Sequence, residues 1–121
     1  MVEKTENIIA KKSYNFALKA ISIYRSLIVN KEYILSKQFL KSATSIGANV
    51  EEALGAQSKR DFIAKLSISY KETREVHHWL RLMKDSSFLN ENIANELIQD
   101  CEELLKILTS ILKSSKESIH C

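Results

Sequence analysis

No proline interrupts this chain, and it has only two glycines, Gly47 and Gly55. A fold built from many short strands needs glycine and proline at its turns, because few other residues accept the backbone angles that tight turns demand. A 121-residue chain with so few breakers is expected to travel in long, uninterrupted helices. The length suits a single domain, residues 1–121, with one modest hydrophobic core.

Apolar residues recur at helical spacing in four stretches, expected as helices over about 5–30, 33–54, 58–85 and 91–113. In the first, Tyr14, Leu18, Ile21 and Ile28 form a stripe that Ala17, Ala20, Tyr24 and Leu27 widen, and Asn30 is a plausible stop. In the second, Phe39, Ala43, Ile46, Val50 and Ala53 step by four and three, the spacing of a seam that faces a neighbouring helix. Gly47 lies inside that helix, where another backbone could come close, and Gly55 ends it.

The third helix opens at Ser58, three residues before Asp61, a variant of the capping box. Its seam is Phe62, Leu66, Ser69, Thr73, Val76, Leu80 and Met83. The fourth follows Asn90, a good N-cap. It has one seam of Leu97, Cys101, Leu104, Leu108 and Ile111 and a second row of Ile98, Leu105 and Leu112 before fraying through 113–116. The connections between helices are short and force successive helices antiparallel, so the expected fold is an all-α, up-down-up-down four-helix bundle.

No apolar run approaches the roughly 18–20 residues needed to span a bilayer, and the charged N-terminus lacks a signal-peptide core. The reading is a cytoplasmic protein with no membrane partner. The two cysteines, Cys101 within a helix and Cys121 at the end, do not make a disulfide framework.

Sites for chemistry are sparse. There is no nucleophile elbow, phosphate loop or dinucleotide fingerprint. Glu75 and His78 have the i, i+3 spacing found in half of a di-iron bundle site, but no second Glu-x-x-His motif accompanies them. His77 points about 100° away from His78 and His120 lies in the tail, so neither cofactor nor metal is expected. Glu51, Glu52, Glu72 and Glu75 are expected in salt bridges with Lys71, Arg74 or Arg81. Ser45 and Asn49 sit near the second seam, where buried polar residues can fix helix register.

Charge is the better lead. Residues 1–60 carry ten Lys/Arg and five Asp/Glu, whereas residues 61–121 carry eight and ten. On the first helix, Lys4, Lys11 and Arg25 share one seven-residue grid, with Lys12 and Lys19 on the adjacent row. This ribbon is a candidate phosphate-contact surface, with Lys11, Lys12, Lys19 and Arg25 as the contacts.

Several segments combine into a family pattern. Thr44-Ser45-Ile46-Gly47-Ala48-Asn49-Val50-Glu51-Glu52-Ala53 resembles the helix-2 hallmark of the bacterial four-helix bundle family named after the 23S ribosomal RNA intervening sequence. Ser58, Asp61 and Phe62 match that family's start of helix 3. Lys71-Glu72-Thr73-Arg74-Glu75 with Trp79-Leu80-Arg81-Leu82, and Cys101-Glu102-Glu103-Leu104, resemble helices 3 and 4 of one branch. The resemblance spans about residues 10–116. It implies a four-helix bundle, a homopentamer, no established enzymatic activity, and a structural role for Ser45, Gly47, Asn49 and Glu52. A related branch supplies the accessory protein of diversity-generating retroelements, a basic pentamer that binds nucleic acid and a reverse transcriptase.

The leading expectation is therefore a non-enzymatic homo-oligomer, pentameric by resemblance, associated with RNA or DNA. The second apolar row on the fourth helix is its expected contact surface. The alternatives are a scaffold that binds another protein without nucleic-acid affinity, and a metal-dependent enzyme using Glu75, His78 and the helix-2 carboxylates.

Overall fold

The computed structural model describes residues 2–120, with side chains described for residues 7–118. Lys4, His120 and Cys121 lie outside the described side chains. Four helices follow one another: α1 (Val2–Val29), α2 (Ile34–Leu54), α3 (Lys59–Asp85) and α4 (Glu91–His120). Each packs against its sequence neighbour, and α1 meets α4 to close an up-down-up-down bundle.

Three helices turn inward the seams legible in the sequence. On α2, Phe39, Ala43, Ile46, Val50 and Ala53 are all buried. On α3 the buried set is Leu66, Ser69, Thr73, Val76, Leu80 and Met83, with Phe62 packed at its edge. On α4 it is Leu97, Cys101, Leu104, Leu108 and Ile111. The second row of α4 is spent within the protomer: Leu112 is buried, and Ile98 packs half-buried against the core. Only Leu105 of that row is half-exposed without packing on the core. The helix also continues through 113–116 instead of fraying there, because Ser115 is buried against the bundle.

The first helix is the exception. Its core residues are Ile9, Ser13, Phe16, Ala20, Ile23 and Leu27, again stepping by four and three. Of the stripe expected to face inward, Tyr14, Leu18 and Ile21 are 66%, 51% and 39% exposed. The reason is close packing against α2. A methyl group placed at Gly47 would meet the Ser13 hydroxyl oxygen at 3.4 Å and the Ser13 carbonyl at 3.6 Å. Small residues on both helices let the backbones approach at this point, and that approach rotates the Ser13 side of α1 into the core.

The helix ends explain themselves by hydrogen bonding. The Ser58 hydroxyl accepts from the Asp61 amide at 3.1 Å, and Asn90 accepts from the Asn92 amide at 2.8 Å. The start of α2 has no side-chain cap at Tyr33. Instead the buried carboxylate of Glu32 accepts from the Leu35 and Ser36 amides at 2.8 and 2.6 Å. Burial alone would raise the Glu32 carboxyl, but these amides and the Ser36 hydroxyl hold it below the usual value. Left-handed backbone occurs at Lys31 (φ 65°) and Ser87 (φ 66°), one residue beyond the expected stop at Asn30 in the first case. In both turns an amide reaches back five residues, Glu32 to Leu27 and Phe88 to Met83, which closes the helix end. Gly55, with φ −97°, needs no glycine-only conformation.

Candidate assembly and nucleic-acid surfaces

Because Ser13 and Phe16 face inward, α1 presents a second seam to the outside. Asn7, Lys11, Tyr14, Leu18, Ile21, Arg25 and Ile28 step by four and three throughout. Its middle is apolar, and cations stand at either end. Tyr14, Leu18 and Ile21 make the middle of this stripe an exposed apolar row.

The neighbouring row behaves differently. Lys12 pairs with Glu103 at 3.1 Å. Lys19 pairs with Glu96 and with Asp100, both at 2.9 Å. Hydrogen bonds first to Asp100 and then to Glu96 raise the Lys19 ammonium above its ordinary value. These ion pairs span the junction of α1 and α4, the most loosely packed junction in the bundle. A cleft of about 330 Å³ opens there, lined by Lys12, Asn15, Lys19, Asp100 and Glu103 over a floor of Phe16 and Leu104. Of the four expected phosphate contacts, the structure thus places two against carboxylates of α4. Lys11 and Arg25 are exposed on the outer seam and make no ion pair among the described residues.

The charge map of the whole hairpin sharpens this division. Between residues 7 and 50 the chain has seven Lys/Arg and one acid, Glu32, which is buried at the start of α2. Beyond Lys11 and Arg25, the exposed cations are Lys31 in the turn and Lys37 and Lys41 on α2. The composition of the first half made its basic character visible. Which lysines keep their charge free depended on the position of α4, and no local signal carried that information.

The helix-2 signature residues differ in what they contact. Gly47 is the point of approach to α1, and the Asn49 side chain donates to the Ser45 carbonyl within its own helix at 2.9 Å. Glu52 pairs with Lys65 at 3.1 Å, not with Lys71, Arg74 or Arg81. Further polar bonds tie α2 to α3, two of them through Ser69 and Glu75, which the sequence already marks. The Ser69 hydroxyl donates to the Ile46 carbonyl at 2.7 Å, and the Ser42 hydroxyl donates to Glu75 at 2.8 Å. Ser69 is a polar residue at a seam position.

Glu75 also accepts from the Trp79 indole at 3.2 Å, so its carboxylate is occupied in structural bonds. Burial, and then the charge of Glu75, push the Glu72 carboxyl upward. His77 meets Glu102 on α4 at 3.2 Å. Among the described residues no three His, Cys, Asp or Glu side chains converge on a possible metal position. Burial, then Asp100 and Glu102, raise the Cys101 thiol far above its ordinary value, which keeps it protonated and inert. No helix among the described residues is long and apolar enough to cross a membrane.

Residues 5–110 match the model of the 23S rRNA-intervening sequence protein family. A solved structure from Bacteroides thetaiotaomicron, described as a protein of unknown function from the S23 ribosomal protein family, superposes with a TM-score of 0.88. It is 40% identical, and the match covers 90% of this chain and 98% of that one. No curated protein matches the chain.

Proposed function

The chain belongs to the 23S rRNA-intervening sequence protein family, and from that starting point we propose that it works as a non-enzymatic, self-assembling bundle that accompanies nucleic acid. The observation that carries this reading is the exposed outer seam of α1. Tyr14, Leu18 and Ile21 lie along roughly 10 Å of helix, too large and too regular an apolar row to leave in water. A second copy of the chain covers it with a different face of its own, and such a head-to-tail contact closes into a ring when its rotation permits. Five protomers is the number that the family resemblance implies.

Repetition around a ring multiplies the exposed cations at the ends of the seam, Lys11 and Arg25, into a basic surface suited to phosphate. Lys12 and Lys19 contribute less, because α4 already neutralises them. Catalysis has no part in this reading: the titratable side chains that stand close together are engaged in helix-to-helix bonds.

Light scattering with and without a mixed RNA and DNA oligonucleotide, at low and moderate salt, tests the proposal. The expected result is the mass of five protomers, rising with oligonucleotide and falling back as salt is added. A protomer-sized mass overturns the assembly. A ring indifferent to oligonucleotide at low salt overturns the nucleic-acid half and favours a protein-binding scaffold.

A further inference from the structure

We propose that the turn-bearing end of the α1–α2 hairpin is a site for single-stranded nucleic acid, with Arg25, Lys31 and Lys37 on the phosphates and Tyr33 stacked on a base. The inference rests on the nucleic-acid reading above and specifies where on the molecule the binding occurs.

Charge leads to this location. The hairpin is the one long stretch of the chain in which cations are not interspersed with acids. Its single carboxylate, Glu32, is turned inward onto the Leu35 and Ser36 amides, so it cannot repel a phosphate at the surface. Glu96, Asp100 and Glu103 of α4 hold Lys12 and Lys19, and Asp85 and Glu91, at the α3–α4 turn on the same end of the bundle, make no ion pair with the hairpin among the described residues. What remains is concentrated around the turn. Arg25 lies about one helical turn before the end of α1, Lys31 stands in the connection, and Lys37 lies one turn into α2. All three are exposed and make no ion pair among the described residues. Lys41, a turn further along α2, extends the cluster but lies near enough to Glu72 to lower that carboxyl, and so counts for less.

The chemistry around these cations selects the partner. Tyr33 is 60% exposed at the first turn of α2, between Lys31 and Lys37 in the chain. A free aromatic face among cations holds unpaired bases, which stack on it regardless of sequence. A duplex keeps its bases stacked inside and presents only phosphates. The connection is also held in place, since the amides of Lys31 and Glu32 close onto the Ile28 and Leu27 carbonyls at 3.0 Å. Little ordering is then needed on binding.

Fluorescence anisotropy on the full chain at low salt decides it, using labelled oligouridine, oligothymidine and a DNA duplex of equal length. The R25Q/K31Q/K37Q variant is expected to lose more than tenfold in affinity for the single strands. Its salt dependence is expected to become shallower by about two, as the loss of three phosphate contacts requires. K12Q/K19Q is expected to stay within about twofold of the unaltered protein. Y33L is expected to lose roughly tenfold on single strands and to leave the duplex unchanged. All of these positions are on the surface, and a thermal melt by circular dichroism confirms folding. If the unaltered protein binds but the triple variant binds equally well, or if K12Q/K19Q loses as much, the site is wrong and the nucleic-acid reading stands. Equal loss of duplex and single-strand binding in Y33L refutes stacking. If the unaltered protein binds none of the three probes, both the site and the broader reading fall.

Discussion

The inner and outer sides of α1 have the same spacing and opposite fates. Ile9, Ser13, Phe16, Ala20, Ile23 and Leu27 step by four and three and are buried. Tyr14, Leu18 and Ile21 belong to an equally regular row and are exposed. The outer row carries the larger apolar groups in its middle, while the inner one includes a serine and an alanine. Along its whole length the inner row is nonetheless the more apolar, because Asn7, Lys11 and Arg25 interrupt the outer one. Close approach adds to this at one point, where the Ser13 side of α1 meets Gly47 of α2. The bulky outer row is thereby left exposed on the protomer.

The largest expected effect tests this contrast directly. Phe16→Ala removes a fully buried ring and is expected to cost about 3–5 kcal/mol in urea unfolding. Leu18→Glu with Ile21→Glu is expected to leave protomer stability within about 0.5 kcal/mol while abolishing assembly in light scattering. If the outer pair instead unfolds the protomer, the assignment of the two sides is reversed.

A smaller effect lies where the hairpin turns. Glu32→Gln keeps the shape but weakens the charge-assisted bonds to the Leu35 and Ser36 amides, with an expected loss of about 1 kcal/mol at neutral pH. The folded-state carboxyl lies below the ordinary value of 4.5, so its contribution is complete above that pH and lost as pH falls through the lower, folded value. Stability measured from pH 7 to pH 3 should therefore fall more steeply below about 4.5 for the unaltered protein than for the variant. Parallel curves would show that Glu32 contributes no charge-dependent stability.

The smallest effect is a gain. Lys31 and Ser87 adopt left-handed backbone that glycine accepts without strain. Ser87→Gly is expected to raise stability by up to about 1 kcal/mol. Lys31→Gly should do the same while weakening single-strand binding, which separates the role of the turn in folding from its role at the surface.

The seams of α2 and α3 were legible because each has a single row that can face inward, and that of α4 because its two apolar rows are adjacent on one side of the helix. The caps at Ser58 and Asn90 were legible because their chemistry is local. The start of α2 was not, since its cap comes from a buried glutamate that precedes the helix. The expected phosphate ribbon is divided by the structure: Lys11 and Arg25 are exposed without an ion pair among the described residues, whereas Lys12 and Lys19 are paired. Lys12 and Lys19 meet carboxylates 91 and 81 residues away, which no local pattern announces. Lys31, Lys37 and Tyr33 became candidates only when α2 was seen beside α1.

By itself, the sequence determined that four helices form, where they turn and which residues share a face. Helical periodicity follows from contacts three and four residues apart, and the lack of proline leaves that periodicity unbroken. The tertiary structure alone decided how closely α1 approaches α2 at Ser13 and Gly47, which lysines pair with carboxylates and which stay unpaired among the described residues. These outcomes depend on how closely distant helices approach, and that distance is set by the small side chains at their crossing and by where α4 closes the bundle.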